Sequence, residues 1–523
     1  MDYVPLRNYN NVKINCKGGT FMRKYYLDNI RWMTIVTVVI YHVLYMYNGE
    51  SILGGLGKIT NLEVQYYDAF QYLVYPWFMP VLFVVAGICS SIYLKRHSEK
   101  DFIKSRTLKL LVPSTLGLFA FQFLQGYVSM SLGNAFVELE KTNVPKVAIF
   151  MIMMASGSGV LWFCHLLWIY SVLLILIRKI EKGKLQTLGA RTPLWLIVLF
   201  FFPVWGGGQI LNTPIVSVYR FGFYLVFFLL GYYVFSAEEV MALLKKIAVV
   251  LMVIAVILCI TFTVLYFGEN YADKPINRGA LFAACAYFGS LAVLAGMAKF
   301  GDFTTGFTRW MSQRSFGLYV FHYLGISSVA LFVAKPGLLP APACYLLSLA
   351  AGFVFGFGLY AIISRIPVYR WLVLGIKKKK EEEMFKDNII HLRKMHKMTQ
   401  EDLAEQVGVT RQAIAKWESG ETIPDLEKCR LLADTFGVSL DDLANYEPEE
   451  NLGLELPPKG KHLFGIVTVG DKGQIVIPAK ARKMFNISAG DELVVLGDET
   501  QGMAIIKAQH FLSMADMIRK LGQ

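Results

Sequence analysis

LDNIRWMTIVTVVIYHVLYMY, residues Leu27 to Tyr47, decides the fold. The stretch is long and apolar enough to cross a bilayer, which takes ~20 residues. It nevertheless carries Arg31 and His42. Eleven residues at about 100° each return to nearly the same helix face, and at a rise of ~1.5 Å per residue they separate the two side chains by ~16 Å along the axis. Ionisable groups inside a membrane are costly and normally face a bundle interior or a wet cavity. Two of them on one stripe predict a lined pathway from one membrane face toward the bilayer's middle. The structural alternative is a histidine satisfied by a neighbouring helix and an arginine that snorkels to the interface.

Of the 523 residues 55% are hydrophobic, and the mean hydropathy is +0.45, which excludes an ordinary soluble protein. The seven cysteines form no CxxC pair, and five fall in or beside apolar runs, so neither a disulfide framework nor a structural metal is expected. The first 26 residues are polar and basic without a small-residue cleavage site, so the first span is expected to be retained. The net charge of +13 divides unevenly: residues 384–523 hold 17 basic and 21 acidic residues, residues 1–383 hold 35 and 18. The high pI therefore belongs to the membrane part and is no argument for nucleic-acid binding.

Ten apolar spans can be marked, about 27–47, 69–94, 110–130, 159–178, 193–211, 218–236, 247–267, 279–298, 315–334 and 343–364. The fifth and sixth are joined only by the short GGGQILNTP loop, and Met151–Ala155 reads as a re-entrant piece or a cap on the fourth span. With a cytoplasmic N-terminus, the inner segments carry 27 basic residues and the outer ones seven. That asymmetry predicts an inner-membrane protein with both termini cytoplasmic. Arg31 then lies near the inner face and His42 in the outer half. The inner loop after the second span delivers Lys104, Arg106 and Lys109 into the third, a cluster able to hold a phosphate group. Ordinary positive-inside bias and attraction to acidic membrane lipid are the competing account. His165 and His322 are two further intramembrane histidines and candidates for a substrate pocket.

Four elements in order, LDNIRWMTIVTVVIYH, MPVLFVVAGICSSIYLKR with FIKSRTLKLLVP, LWFCHLL and RSFGLYVFH, resemble the acyltransferase-3 family, in particular its glucan succinyltransferase branch. These are ten-span membrane enzymes that move acyl groups onto sugars of the bacterial envelope. The family's Arg-x10-His element falls on Arg31 and His42, and its Arg-x-x-Arg element on Arg106 and Lys109. The lysine is a departure that keeps the charge and loses the bidentate fork. The resemblance implies acyl-CoA as a cytoplasmic donor, its phosphates near Arg31, Arg106 and Lys109, with the pantetheine arm reaching toward His42. The acceptor would be an envelope glycan or a lipid-linked sugar. His42 would act as general base or as acyl relay. No G-x-S-x-G elbow is present, and the paired broken spans of a transporter are not seen.

After the junction KKKKEEEMFKDN the chain changes character. Thr399 to Asp402 is a capping box, Gly408 a turn, Thr410 the cap of RQAIAKWES, Pro424 the start of a further helix, and Ser439 with Asp442 the start of a last one. This segment resembles the Cro/phage-repressor helix-turn-helix domain. The resemblance puts Arg411, Gln412 and Lys416 against bases or phosphates of double-stranded DNA, with Gln400 and Thr410 on the backbone. Further on, GIVTV, QIVI, ELVVL and MAIIK resemble the AbrB/SpoVT swapped-hairpin family, whose chains interleave as dimers. Lys472 and Arg482 match positions that contact DNA there, whereas Gln474 stands where relatives often have Arg. So small a segment has little core of its own, which predicts a homodimer.

The expected architecture is a polytopic α-helical membrane protein of about ten spans with a cytoplasmic all-α helix-turn-helix domain and a small β-rich swapped-hairpin domain. Its parts are a tail 1–26, a membrane domain 27–375, a charged junction 376–383, a helix-turn-helix domain 384–446, a linker 447–462, a swapped-hairpin domain 463–510 and a C-terminal helix 511–523. The expected function is a membrane O-acyltransferase carrying a transcription-regulator module. The alternatives are a tethered regulator whose membrane part only senses, or two adjacent gene products read in one frame.

Overall fold

The computed structural model describes residues 24–50, 54–95, 97–141, 144–212, 219–376 and 381–445, and beyond these 460, 467, 469, 473–498, 502–509 and 511–512. Two compact units divide the chain between residues 378 and 379. In the membrane unit the candidate spans are α1 (Tyr25–Met46), α2 (Tyr66–Leu94), α3 (Glu99–Leu132), α4 (Gly159–Glu181), α5 (Lys184–Ala190 with Leu194–Gly207), α6 (Phe221–Tyr233 with Glu238–Lys246), α7 (Ala248–Tyr266), α8 (Ala280–Phe300), α9 (Gly306–Ala334) and α10 (Ala341–Ile363). Eight are long and apolar enough to span a membrane, and counting each bent pair as a span brings the total to ten.

The two bent pairs are the spans with the short connecting loop. α5 turns by 113° and α6 by 106°. In α5 the break falls before Pro193, whose extended φ/ψ caps the apolar half and whose ring disfavours helix in the residue before it. In α6 the 13-residue apolar half reaches only ~20 Å, short of a ~30 Å hydrocarbon core. Glu238 and Glu239 then open a strongly amphipathic helix across it. Residues 151–155 belong to a separate helix, Lys146–Ser156, packed on the end of α3.

α2 is the central element, packed against α1, α6, α7 and α8. It meets α6 backbone to backbone: a Cβ on Gly87 would lie 2.1 Å from the Phe228 carbonyl, and one on Gly231 2.2 Å from that of Val84. Small residues permit such close crossings in a membrane, where dispersion rather than water expulsion drives association. α1 lies between α2, α9 and α10. Its N-terminal end is fixed by Asn29, which donates to the Gly301 and Phe303 carbonyls at 2.8 and 2.9 Å.

In the second unit α11 (Glu381–Met395), α12 (Gln400–Val407), α13 (Arg411–Ser419), α14 (Leu426–Thr435) and α15 (Leu440–Asn445) enclose one core. Phe385, Ile389 and Leu392 of α11 join Leu403, Val407, Ile414, Trp417, Leu432 and Leu443. The capping box at Thr399 and Asp402 forms, and Gly408 turns the chain at φ 66. Thr410 accepts from the Ala413 amide. Asp425, one residue after the expected Pro424, caps α14 by accepting from the Lys428 amide. Beyond these lie α16 (Ala479–Met484) and an antiparallel pair, β1 (Leu493–Asp498) and β2 (Gly502–Lys507). Residues 474–477, expected as a strand, join no sheet among the described residues. Most of the GIVTV strand, of the linker and of the C-terminal helix lies outside the described residues.

Candidate active site and DNA-binding face

Near the N-terminal end of α1, two arginines from different helices converge on consecutive residues of α2. Arg31 donates to the Cys89 sulfur at 2.8 Å and to Asp28 at 3.1 Å. Arg106 donates to the Ser90 hydroxyl at 3.1 Å and lies over the Phe102 ring. Asp28 balances the charge of Arg31. Arg106 immediately precedes a π-helical turn, Thr107–Leu111, and a second follows at Leu118–Gln122. The wider turn takes Lys109 off the ideal helical track relative to Arg106. Lys104 and Lys109 are exposed at the same edge. A separate cleft of about 230 Å³ nearby is lined by Lys95, Gln186, Tyr233, Glu238 and Glu239. Its two glutamates suit it poorly to phosphates.

Toward the C-terminal end of α1, α1 and α9 bring His42 and His322 together. His42 Nδ1 lies 2.9 Å from His322 Nε2, and His322 Nδ1 lies 3.0 and 2.9 Å from the Leu318 and Tyr319 carbonyls. A carbonyl only accepts, so His322 carries its proton on Nδ1 and presents a lone pair at Nε2. His42 must then donate from Nδ1, which leaves its own lone pair on Nε2. The fully buried His322 thus sets the tautomer of half-buried His42. The rings of Tyr41, Tyr45 and Tyr323 surround His42 at 5.1 to 5.9 Å.

His165 stands elsewhere. Its Nε2 lies 2.7 Å from the Ser114 carbonyl and donates to it, so Nδ1 accepts from the Tyr219 hydroxyl at 3.1 Å. Both nitrogens are engaged, and with Trp168, which donates to Thr107 Oγ1, the residue ties α4 to the stretch of α3 around its π-helical turns. Sequence reasoning did not single out Cys89 and Ser90. Nor did it find the buried chain from the Tyr41 hydroxyl through Tyr271 and Gln71 to Asp68. The only signal for that chain was polarity near the start of an apolar span.

On α13, Arg411, Gln412 and Lys416 are exposed together, with Thr410 at the helix start. Arg411 pairs with Glu401 at 2.7 Å and Lys416 with Glu421 at 3.5 Å. Gln400 donates to Glu418, which also takes Arg393, at 2.5 Å from Nε and 2.9 Å from Nη2. Burial works against the Glu418 charge, but the Arg393 and Gln400 hydrogen bonds prevail and hold its pKa below the ordinary value. Arg482 is exposed on α16, and Lys472 lies outside the described residues.

A family described as an acyltransferase domain matches residues 24–364, a helix-turn-helix family matches 389–443, and the bacterial antitoxin family of MazE, described as antidote-toxin recognition, matches 466–510. Curated relatives match the tail. The HTH-type transcriptional activator BcrR of Enterococcus faecalis is 41% identical over 63 residues, 12% of this chain and 31% of its own length. An uncharacterized HTH-type transcriptional regulator of Methanocaldococcus jannaschii is 40% identical over 65 residues, 12% of this chain and 98% of its own. The cryptic phage CTXphi transcriptional repressor RstR of Vibrio cholerae is 32% identical over 72 residues, 14% of this chain and 64% of its own. No solved structure matches the chain.

Proposed function

Because this chain belongs to the acyltransferase domain family, we propose that its membrane unit moves an acyl group from cytoplasmic acyl-CoA to a hydroxyl of an envelope glycan or lipid-linked sugar. The observation that carries the reading is the lone pair left on His42 Nε2 by its hydrogen bond to His322. A neutral imidazole so held is a proton acceptor for a hydroxyl attacking a thioester carbonyl. Arg31 and Arg106, with Lys109 and Lys104 at the rim, hold the donor's phosphates at the inner face. Attack by the histidine itself is the variant mechanism, and it would leave an acyl group on His42. The excess of 27 inner over seven outer basic residues favours a multi-pass inner-membrane protein with both termini cytoplasmic. The helix-turn-helix unit gives the chain a DNA-reading face, with a second copy joined through the strands around β1 and β2. The test is transfer of a labelled acyl group from acyl-CoA to envelope glycans by the full chain in nanodiscs. His42→Ala abolishes transfer on this reading, and near-normal turnover in that variant would refute it.

A further inference from the structure

We propose that Arg220 and Asn277 form an anion-binding subsite in the outer half of the membrane unit, and that the acyl acceptor is an acidic glycan bearing a carboxylate or phosphate. This rests on the acyltransferase reading above.

Arg220 is 3% exposed and starts α6. Its Nη2 donates to the Asn277 carbonyl at 2.6 Å, and its guanidinium carbon lies 4.1 Å from the Phe223 ring centroid and 5.0 Å from that of Phe282. Its charge rests on these two aromatic faces, and a second cation, Arg278, directly follows Asn277 in the chain. Among the described residues no carboxylate pairs with it. Aromatic faces recover only part of what a cation loses on leaving water, and Arg278 adds repulsion. The balance is completed by an anion.

Two orphan acceptors belong to residues whose backbones contact Arg220. Asn277, 7% exposed, donates through Nδ2 to the Ala272 carbonyl, which fixes its amide, and its Oδ1 has no partner. Asn212, whose backbone bridges to that of Arg220, donates through Nδ2 to the Gly208 carbonyl and also leaves a buried Oδ1 unpaired. A bare anion would satisfy the arginine and leave both oxygens orphaned. A neutral sugar would do the reverse. An anionic group flanked by hydroxyl donors satisfies all three.

The subsite also lies on the catalytic histidine's side of the bundle. The Phe282 ring under the guanidinium is 5.9 Å from the Tyr75 ring, which is 5.9 Å from the Tyr41 ring, and that ring is 5.3 Å from His42. Three aromatic rings, Phe282, Tyr75 and Tyr41, therefore link the cation to the proposed base. Such faces are suited to the apolar sides of sugar rings.

The test reads binding without turnover. Thermal unfolding of the full chain in nanodiscs is followed with a glucuronate oligomer, glycerol phosphate or a neutral glucose oligomer at constant ionic strength. At least one anion raises the midpoint saturably and the neutral oligomer does not; which anion acts separates a carboxylate from a phosphate source. Arg220→Gln weakens the apparent affinity for that anion at least tenfold, and Arg220→Lys recovers part of it. Equal protection by the neutral oligomer, or protection by neither anion, overturns the proposal on the unaltered protein alone. So does anion protection that survives Arg220→Gln but disappears in Arg106→Ala, which would place the anion at the inner cluster. Loss of the acyltransferase reading is scored separately, through transfer by His42→Ala.

Discussion

His322 Nε2 accepts a hydrogen bond from His42 Nδ1 at 2.9 Å, joining two residues 280 positions apart. The contact gives His322 a positioning role that the reacting atoms never touch. His322→Phe keeps an aromatic ring in place and removes the acceptor, so His42 is no longer confined to one tautomer. Transfer should fall about 10²-fold, the lower end of what general-base catalysis contributes. The KM for acyl-CoA should stay close to its original value, because the proposed phosphate contacts lie at the other end of α1. A parallel rise in KM would mean instead that the bundle had repacked.

Donor affinity should depend on the inner pair. Arg106→Ala removes a charge-assisted contact, and about 1.4 kcal/mol corresponds to tenfold in binding. The KM for acyl-CoA should rise about tenfold with kcat little changed, and Lys109→Ala should have a smaller effect at its exposed position. Isothermal titration with non-hydrolysable acyl-CoA separates binding from turnover. Undiminished affinity in Arg106→Ala would return this cluster to ordinary lipid-facing basicity.

The stripe of Arg31 and His42 could be read from sequence because helical periodicity alone fixes which residues share a face. Their partners could not. Cys89 and Ser90 look like small helix filler, and His322 is placed against His42 only by the packing of α9 on α1. Arg220 counted merely as an outer loop charge until tertiary packing buried it. The half-length of α6 was equally hidden, since hydropathy continues through Val234 and Phe235 after the helix has ended at Tyr233. In the tail the local capping chemistry was decisive, so α12 to α15 were legible almost residue by residue. Strand pairing at 474–477 depends on a partner edge, which local sequence does not specify.

The DNA-reading face should show a built-in competition. Glu401 holds Arg411 at 2.7 Å, and both side chains are largely exposed, so the pair itself adds little stability. Glu401→Gln should tighten specific DNA binding by freeing Arg411 and removing a negative charge from the phosphate path. Arg411→Ala should erode sequence preference. Binding of the unmodified protein should fall steeply with salt as counterions are released. Gel-shift titrations across a salt series measure all three effects. A flat salt response would remove the DNA-binding assignment.

Stability of the helix-turn-helix unit should depend on Glu418. Its side chain and that of Arg393 are 8% and 14% exposed, and its pKa is depressed in the fold. A depressed carboxylate contributes stability above its unfolded value of about 4.3, and that contribution is lost as pH falls through the lower folded value. The unit should therefore be insensitive to pH between neutrality and about 5, then lose stability on further acidification. Glu418→Ala should cost about 2 kcal/mol at neutral pH by stranding the Arg393 charge. Urea unfolding of residues 381–523 across this range tests both statements, and a variant with unchanged midpoint would show the pair to be dispensable.

The junction KKKKEEEMFKDN raises a question of synthesis as well as structure. Lys-Glu-Glu can be written AAGGAGGAA, a ribosome-binding purine run, and Met384 follows within a few nucleotides. The first side chain of the tail's core is Phe385, so a product begun at Met384 keeps every core residue of that unit. It would lack only the first three residues of α11, Glu381 to Glu383. Such a product would be a complete regulator without a membrane anchor, and the coupling between the two units would then be genetic. Immunoblots against the tail should show a small soluble species beside the full-length chain, and Met384→Leu should remove it. A single full-length species, unchanged by Met384→Leu, would exclude internal initiation. The regulator would then act only where the membrane holds it.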